Sequence, residues 1–349
     1  MSKHLIKGNI ALCEGAITAG LSAYFGYPIT PQNEVPAYMS NKMVKMGRVF
    51  IQAESELSAA NMVMGAYATG KRAMTSSSSP GISLKQEAIS YLAGMEVPGV
   101  IVNVQRGGPG LGNISGSQSD YFQATKGGGH GDYHTIVFAP NSAQEMYEMA
   151  YDSFDIAEKY RTPVMILSDG IIGQMMEPVE FNRQEKKEFE KKSWALDGCA
   201  GREPRSLQSL LMKDGALEQH NIDLQKKYEE IKKNEVKYDI YEAEDAEIII
   251  VAYGISSRIA KNALKLARQQ GIKAGMIRPK TLWPFPYEII NKHAGQGVKF
   301  LTVELSMGQM VEDVKLAVNG KSPVEFIGRA GGGVITVQAV LNKITELKK

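Results

Sequence analysis

Four short segments in the amino-terminal third concentrate side chains that could do chemistry together. The first is Phe25-Gly26-Tyr27-Pro28-Ile29-Thr30-Pro31-Gln32-Asn33-Glu34. Its two prolines fix their own φ and disfavour helix at the residues before them, so Thr30 presents a hydroxyl at a loop or helix start, as a ligand or as an N-cap. The second is Gln52-Ala53-Glu54-Ser55-Glu56-Leu57-Ser58-Ala59-Ala60, in which Glu56 opens a helix of small and apolar residues. A carboxylate there is either a simple partner of the helix dipole or a partly buried acid, with Glu54 as its neighbour. The third, Val102-Asn103-Val104-Gln105-Arg106-Gly107-Gly108, puts an arginine directly after an apolar strand. Arg106 can fork onto a substrate carboxylate or onto an acid of its own chain. The fourth, Ser76-Ser77-Ser78-Ser79-Pro80-Gly81, reads as a loop able to wrap a ligand with backbone donors.

The elements that must position these segments alternate in type. Helical patterns at Glu14–Ala23, Glu56–Thr69 and Gln144–Tyr160 are interleaved with apolar runs at Val49–Gln52, Val100–Val104, Thr135–Ala139 and Val164–Ser168. Short β-branched runs separated by longer helices imply an α/β unit with a mostly parallel sheet covered on both faces, here residues 1–180. Glycine-rich loops at 107–112 and 127–131 join the serine loop within a short span. Ligands of such sheets lie outside the carboxyl ends of the strands, where these loops fall. Glycines that merely permit tight turns are the plainer reading of each loop alone.

Residues 181–245 are dominated by mixed charge runs, Glu185-Lys186-Lys187-Glu188 and Lys226-Lys227-Tyr228-Glu229-Glu230-Ile231-Lys232-Lys233. Ile222, Leu224, Tyr228 and Ile231 give the second run one apolar stripe, so this span reads as a solvated helix and connection. A second α/β unit occupies 246–349, with strands at Ile248–Tyr253, Gly275–Ile277, Lys299–Glu304 and Val324–Phe326 and a helix running from Gly254 through Ala267.

Composition narrows the functional classes. The 349 residues are 43% hydrophobic and 22% charged with net charge +2, which gives no global field for nucleic acid or an anionic membrane. The longest apolar runs are strand length, and Met1-Ser2-Lys3-His4 lacks a signal-peptide pattern. Cys13 and Cys199 are too few for a disulfide framework, a CxxC pair or a four-thiolate cluster, so the cytoplasm is expected. Any iron–sulfur centre serving this protein must then sit on another chain.

Two motifs fall short. Gly65-Ala66-Tyr67-Ala68-Thr69-Gly70-Lys71-Arg72 has the glycine and lysine spacing of a phosphate-binding loop, but Arg72 replaces the hydroxyl residue and a helical pattern precedes it. His130 and His134 have the four-residue spacing of helical metal ligands, but three glycines before them argue against a helix. No metal ligand set is assigned.

Taken in order, the YPITP run, the Gln-x-Glu-x-Glu helix start, the serine loop, Arg106 and the later Arg278-Pro279-Lys280-Thr281-Leu282-Trp283-Pro284-Phe285-Pro286 resemble the alpha-type subunits of the 2-oxoacid:ferredoxin oxidoreductases. The run Ser76–Gly81 followed by Ile82-Ser83-Leu84-Lys85-Gln86-Glu87 is most similar to the 2-ketoisovalerate (3-methyl-2-oxobutanoate) branch, with the 2-oxoglutarate branch as near neighbour. The resemblance implies a thiamine-diphosphate-binding fold of the pyrimidine type followed by a transketolase C-terminal-like domain. It implies CoA-dependent oxidative decarboxylation of a 2-oxo acid, with electrons passed to ferredoxin.

By the same resemblance Glu56 shares a proton with the cofactor's aminopyrimidine ring, a role suited to a desolvated carboxyl. Thr30 and Arg106 bind the 2-oxo acid, and Tyr27, Pro28, Ile29, Ser79 and Gly81 line the cofactor. No GDG…N arrangement for magnesium and diphosphate occurs. The resemblance puts that site on a beta subunit and the iron–sulfur clusters on further small subunits, one of them ferredoxin-like. Thiamine diphosphate is then shared between chains, and the isolated chain is an inactive homodimer. Two alternatives are a thiamine-diphosphate enzyme subunit that does not use ferredoxin and a non-catalytic metabolite-binding regulatory protein.

Overall fold

The computed structural model describes residues 3–187, 189–295 and 297–348; Met1 and Ser2 of the amino terminus and Glu188 of the first charge run lie outside the described residues. The chain opens with β1 (Lys3–Lys7), α1 (Gly8–Thr18), β2 (Ala23–Gly26), α2 (Glu34–Lys45), β3 (Val49–Gln52) and α3 (Glu56–Ala68). It continues through β4 (Ala73–Ser77), α4 (Ser79–Gly94), β5 (Gly99–Gln105), α5 (Tyr121–Thr125) and β6 (Ile136–Phe138). Then come α6 (Ala143–Tyr160), β7 (Pro163–Asp169), α7 (Gly170–Gln174) and β8 (Met176–Glu180). The charged span holds α8 (Ala216–Asn234) and β9 (Tyr238–Tyr241). The remainder is β10 (Ile248–Val251), α9 (Gly254–Gln269), β11 (Ala274–Pro279), β12 (Thr281–Trp283), α10 (Tyr287–His293), β13 (Lys299–Glu304), α11 (Met310–Val318), β14 (Val324–Gly328) and α12 (Val337–Lys348).

The first sheet has the order β12-β6-β7-β5-β4-β2-β3. Its pairs are parallel except β12 with β6. Every residue of β5 and β7 is buried, as continuous apolar runs must be when helices cover both faces. On one face α1 packs against α6 so closely that a methyl group on Gly15 would meet the Tyr147 carbonyl at 2.1 Å. The pattern at Glu14–Ala23 therefore marks only part of this helix, which starts earlier and ends at Thr18, while Ala23 already belongs to β2.

The serine run is not a loop throughout. Ser76 and Ser77 end β4, Ser78 is the N-cap, and Ser79, Pro80 and Gly81 form the first turn of α4. Proline at the second helical position needs no N–H there, which lets the helix start inside the serine run. Thr30 is no N-cap: α2 begins at Glu34, with Asn33 before it.

The charged span is anchored at intervals. Arg72 bonds Glu158 and Asp155, Lys192 joins Glu158 at 2.7 Å, and the Phe189 ring lies 4.5 Å from the Arg72 guanidinium. Arg72 follows α3 and leads into β4, the reverse of the strand-to-helix order of a phosphate loop. In α8, Leu224, Tyr228 and Ile231 are buried, but Ile222 is exposed, because it falls outside their i, i+4, i+7 face.

The second sheet, β14-β13-β10-β11-β9, is parallel apart from β9, which pairs antiparallel with β11. The Arg278–Pro286 motif carries the chain from this sheet into the first, since β11 ends at Pro279 and β12 starts at Thr281. Buried Arg278 donates to Glu145 of α6, to Asp239 of β9 at 2.9 Å and to the Ala139 carbonyl at 3.1 Å. Trp283 stacks on His134 at 4.5 Å, with Tyr228 edge-on to both rings. His134 therefore packs in an aromatic cluster, while His130 sits edge-on to Tyr91.

Candidate active site

The four segments follow four neighbouring strands. Thr30 lies beyond β2, Glu56 beyond β3, Ser79 and Gly81 beyond β4, and Arg106 beyond β5, in a block ordered β5-β4-β2-β3. All four therefore emerge at the carboxyl edge of one parallel sheet.

Contacts tie them together. Arg106 is buried, and its Nη1 and Nη2 donate to the carbonyls of Thr30 at 2.9 Å and Leu111 at 3.0 Å. Among the described residues its Nε has no partner, and no carboxylate pairs with the guanidinium. The Arg106 amide donates to the Ser79 hydroxyl at 3.0 Å, and that hydroxyl donates to Asp120 Oδ2 at 2.5 Å. Asn103 also donates to Asp120, at 2.8 Å. Burial raises the Asp120 pKa, against the lowering effect of these two bonds. Asp120 escapes sequence reading because it follows an irregular loop and only the fold brings it to Ser79.

Glu56 sits in the first turn of α3, 7% exposed, with Ser55 capping the helix by accepting the Ser58 amide at 3.2 Å. A methyl group on Gly81 would meet Ser77 Oγ at 2.1 Å and Glu56 Oε1 at 2.6 Å. Glycine at 81 thus lets the Ser77 hydroxyl and the Glu56 carboxyl pack directly against the backbone of α4. Among the described residues the buried hydroxyls of Ser77 and Ser78 have no partner. Glu54 differs: it is exposed, with the Ser58 hydroxyl bonded to its carboxylate, which holds its pKa down.

Behind these groups lies a second shell that sequence reading missed. Tyr24 Oη and Ser76 Oγ are 2.6 Å apart, and Ser76 donates to Gln32. Lys85, one turn beyond Gly81, is fully buried and donates to the Glu56 carbonyl and to Thr75 Oγ1, both at 3.0 Å. Its available signal was a charge on the stripe Ile82, Lys85, Ile89 and Leu92.

Tyr27 and Pro28 are exposed at the rim and Ile29 is half-buried. Next to Thr30 a cleft of about 590 Å³ runs between Pro31, Glu34, Ile171, Gln174 and Gly332. There the second unit closes over the crevice, with Asn113 donating to the Gly331 carbonyl at 2.6 Å. A larger cleft of about 810 Å³, along Ser22, Arg48 and Val49, lies at the amino ends of β2 and β3, the wrong edge for a ligand of this architecture.

A thiamine-diphosphate group fits this crevice on two observations. The crevice holds a buried carboxyl, that of Glu56, and beside it the buried hydroxyls of Ser77 and Ser78 lack a partner among the described residues. The family described as "Pyruvate flavodoxin/ferredoxin oxidoreductase, thiamine diP-bdg" matches residues 14–240, and "Pyruvate:ferredoxin oxidoreductase core domain II" matches residues 246–340. The fold is thus of the thiamine-diphosphate-binding class. Ketoisovalerate oxidoreductase subunit VorB of Methanothermobacter marburgensis is 50% identical over 347 residues, with 99% of this chain and 98% of that protein covered. The chain belongs to the 2-oxoacid:ferredoxin oxidoreductase family, as an alpha-type oxidoreductase subunit. 2-Oxoglutarate synthase subunit KorA of Methanothermobacter thermautotrophicus is 35% identical, with 99% of each protein covered. Among solved structures, 2-oxoglutarate:ferredoxin oxidoreductase from Magnetococcus marinus with 2-oxoglutarate, coenzyme A and succinyl-CoA bound superposes with TM-score 0.87 at 25% identity, covering 100% of this chain and 66% of that one. A split-gene transketolase, at 15% identity and TM-score 0.62, shares the fold.

Proposed function

We propose that this chain supplies the pyrimidine half of a thiamine-diphosphate site to a heteromeric enzyme acting on a branched-chain 2-oxo acid, 2-ketoisovalerate. In the overall reaction the 2-oxo acid and CoA give acyl-CoA and CO2, and two electrons reduce ferredoxin. The observation that carries this reading is the buried Arg106, bonded only to neutral groups of its own chain and joined through Ser79 and Gly81 to the buried Glu56.

The chain's own residues have distinct tasks in it. Arg106 orients the substrate carboxylate beside Thr30. Glu56 holds a proton toward the cofactor ring, Gly81 lets that carboxyl lie against α4, and Tyr27, Pro28, Ile29 and Ser79 line the ring's approach. Thiamine diphosphate, when bound, supplies the electron sink for decarboxylation.

The beta subunit carries the diphosphate and magnesium, and further small subunits, one of them ferredoxin-like, carry iron–sulfur clusters. The two cysteines here cannot furnish a four-thiolate cluster. The free state of Cys13 and Cys199 favours a cytoplasmic enzyme. Among the described residues no helix is long and apolar enough to cross a membrane. We also propose that residues 1–180 and 246–349 act as the two functional units, that 181–245 connects them, and that the isolated subunit is a homodimer.

The test is reconstitution with the partner subunits and a panel of 2-oxo acids, following CoA-dependent ferredoxin reduction. Preference for 2-ketoisovalerate is the expected result. Preference for 2-oxoglutarate would reassign the substrate, and turnover without ferredoxin reduction would overturn the proposed acceptor.

A further inference from the structure

Lys85 is out of place by ordinary burial rules. It is fully buried, yet among the described residues it pairs with no carboxylate, and its Nζ is spent on two neutral oxygens, the Glu56 carbonyl of α3 and the Thr75 hydroxyl of β4. An ammonium in such a place is costly unless something compensates it, whereas a methionine would fill the same slot without that cost. A purely structural link between α3, α4 and β4 does not need a lysine.

We propose that Lys85 is a positioning residue for Glu56, anchoring the first turn of α3 from beneath through the Glu56 carbonyl and coupling its own charge to the Glu56 carboxyl. The inference rests on the assignment of Glu56 to the cofactor ring. Geometry supports it from two sides. Nζ fixes the backbone of the residue whose side chain packs on Gly81, and Lys85 lies one helical turn after Gly81 on α4, so one turn of that helix holds both the backbone and the carboxyl of Glu56. Of the groups facing Nζ, Thr75 from β4 is neutral and Glu56 from α3 is the charged one. Burial lowers the lysine pKa to about 7, and Glu56 raises it against that trend. The ammonium is thus poised to gain or lose its proton near neutral pH.

The coupling is read first in the full-length subunit without cofactor. The Lys85 ε-methylene carbon is followed by NMR through a pH titration, with Lys85→Met to assign the signal. The expected midpoint lies near 7 and falls further in Glu56→Gln, because the neighbouring negative charge is gone. A midpoint that Glu56→Gln leaves unchanged, or one at an ordinary lysine value, overturns the inference.

The positioning role is read in the reconstituted complex. Lys85→Met should slow hydrogen–deuterium exchange at the C2 position of bound thiamine diphosphate by about 10- to 100-fold, as expected for a displaced reacting group. It should also remove the inflection near neutrality from the pH profile and leave KM for the 2-oxo acid within about twofold. A lysine that only braced the fold would depress the profile without changing its shape. Thr75→Val, which removes one acceptor of Nζ in a nearly isosteric way, should shift the same inflection. A normal profile in both variants, or failure of both to assemble, overturns the inference. Normal exchange in Glu56→Gln would instead unseat the assignment of Glu56 while leaving the titration result standing.

Discussion

Arg106 holds Thr30 by its backbone and not by its hydroxyl: Nη1 donates to the Thr30 carbonyl at 2.9 Å, while Asn33 Nδ2 donates to Thr30 Oγ1 at 3.2 Å. The guanidinium therefore keeps its charge uncancelled while it fixes the loop after β2. Arg106→Ala removes both effects. Losing a buried charged hydrogen-bond partner costs about 2–5 kcal/mol, so KM for the 2-oxo acid should rise by about 30-fold or more. C2 exchange of the bound cofactor should stay close to that of the unaltered enzyme. Steady-state kinetics together with exchange measured without substrate would check this, and an unchanged KM would remove Arg106 from the substrate site.

Gly81→Ala tests the close packing of the Glu56 carboxyl on α4. Alanine improves helix propensity by about 1 kcal/mol, so a purely structural glycine would tolerate it. Here the new methyl group would lie 2.1 Å from Ser77 Oγ and 2.6 Å from Glu56 Oε1, so one of them must move. The expected outcome is a folded, assembling subunit whose complex has weakened cofactor affinity, measured by calorimetry. Affinity equal to that of the unaltered complex would place the cofactor elsewhere.

Gln118 joins the two sheets. Its amide donates to the Tyr253 carbonyl at 2.9 Å, and its oxygen accepts from Ser256 Oγ at 2.6 Å and from the Leu305 amide at 2.9 Å. Gln118→Ala strands these buried groups, at about 1–3 kcal/mol for each one left unsatisfied. The thermal midpoint should fall by several degrees, and limited proteolysis should cut faster between the units. A midpoint within about one degree of the original would show that the joint is held elsewhere.

The buried Asp169 gives a pH prediction. Its carboxyl caps α7 by accepting the amides of Ile171 at 2.9 Å and Ile172 at 3.0 Å, and burial pushes its pKa up to about 6. A folded-state pKa above the unfolded value means that the native state binds the extra proton. The stabilisation is therefore complete below about pH 4 and lost as pH rises through about 6. Asp169→Asn should flatten that part of the stability–pH curve and be the more stable form at pH 7–8, by at most about 3 kcal/mol. Part of the gain is offset where the amide faces the Ile255 N–H, which Asp169 accepts at 3.4 Å. Denaturant melts at pH 4, 6 and 8 would check the sign, and a wild-type slope retained in the variant would contradict it.

The sequence was most readable where burial is uniform. The run read as β13 has the observed bounds, and those read as β5 and β7 differ by a residue or two, because a strand covered on both faces leaves an unbroken apolar run; β3, an exposed edge strand, was legible from its β-branched residues instead. It was least readable where polar residues do structural work. β4 ends in the buried Ser76 and Ser77, so its sequence looks like a loop. Of the site, Thr30, Glu56, Ser79, Gly81 and Arg106 could be singled out by residue type and by their place after apolar runs. Asp120 and Lys85 could not, since their importance rests on partners distant in the chain, Ser79 and Asn103 for one and Glu56 for the other.

The pairing of β12 with β6 has a consequence for how the protein is made. Thr281 and Trp283 stand opposite Phe138 and Val137, so the far edge of the first sheet is supplied by a segment translated long after the rest of it. As the polypeptide leaves the ribosome, β6 waits with its outer edge bare through the synthesis of the charged span and of β9, β10 and β11. An open strand edge on a nascent chain is a template for other nascent chains. A chain truncated before Thr281 keeps that edge bare for good and should aggregate, although Thr30, Glu56, Ser79, Gly81 and Arg106 are all present.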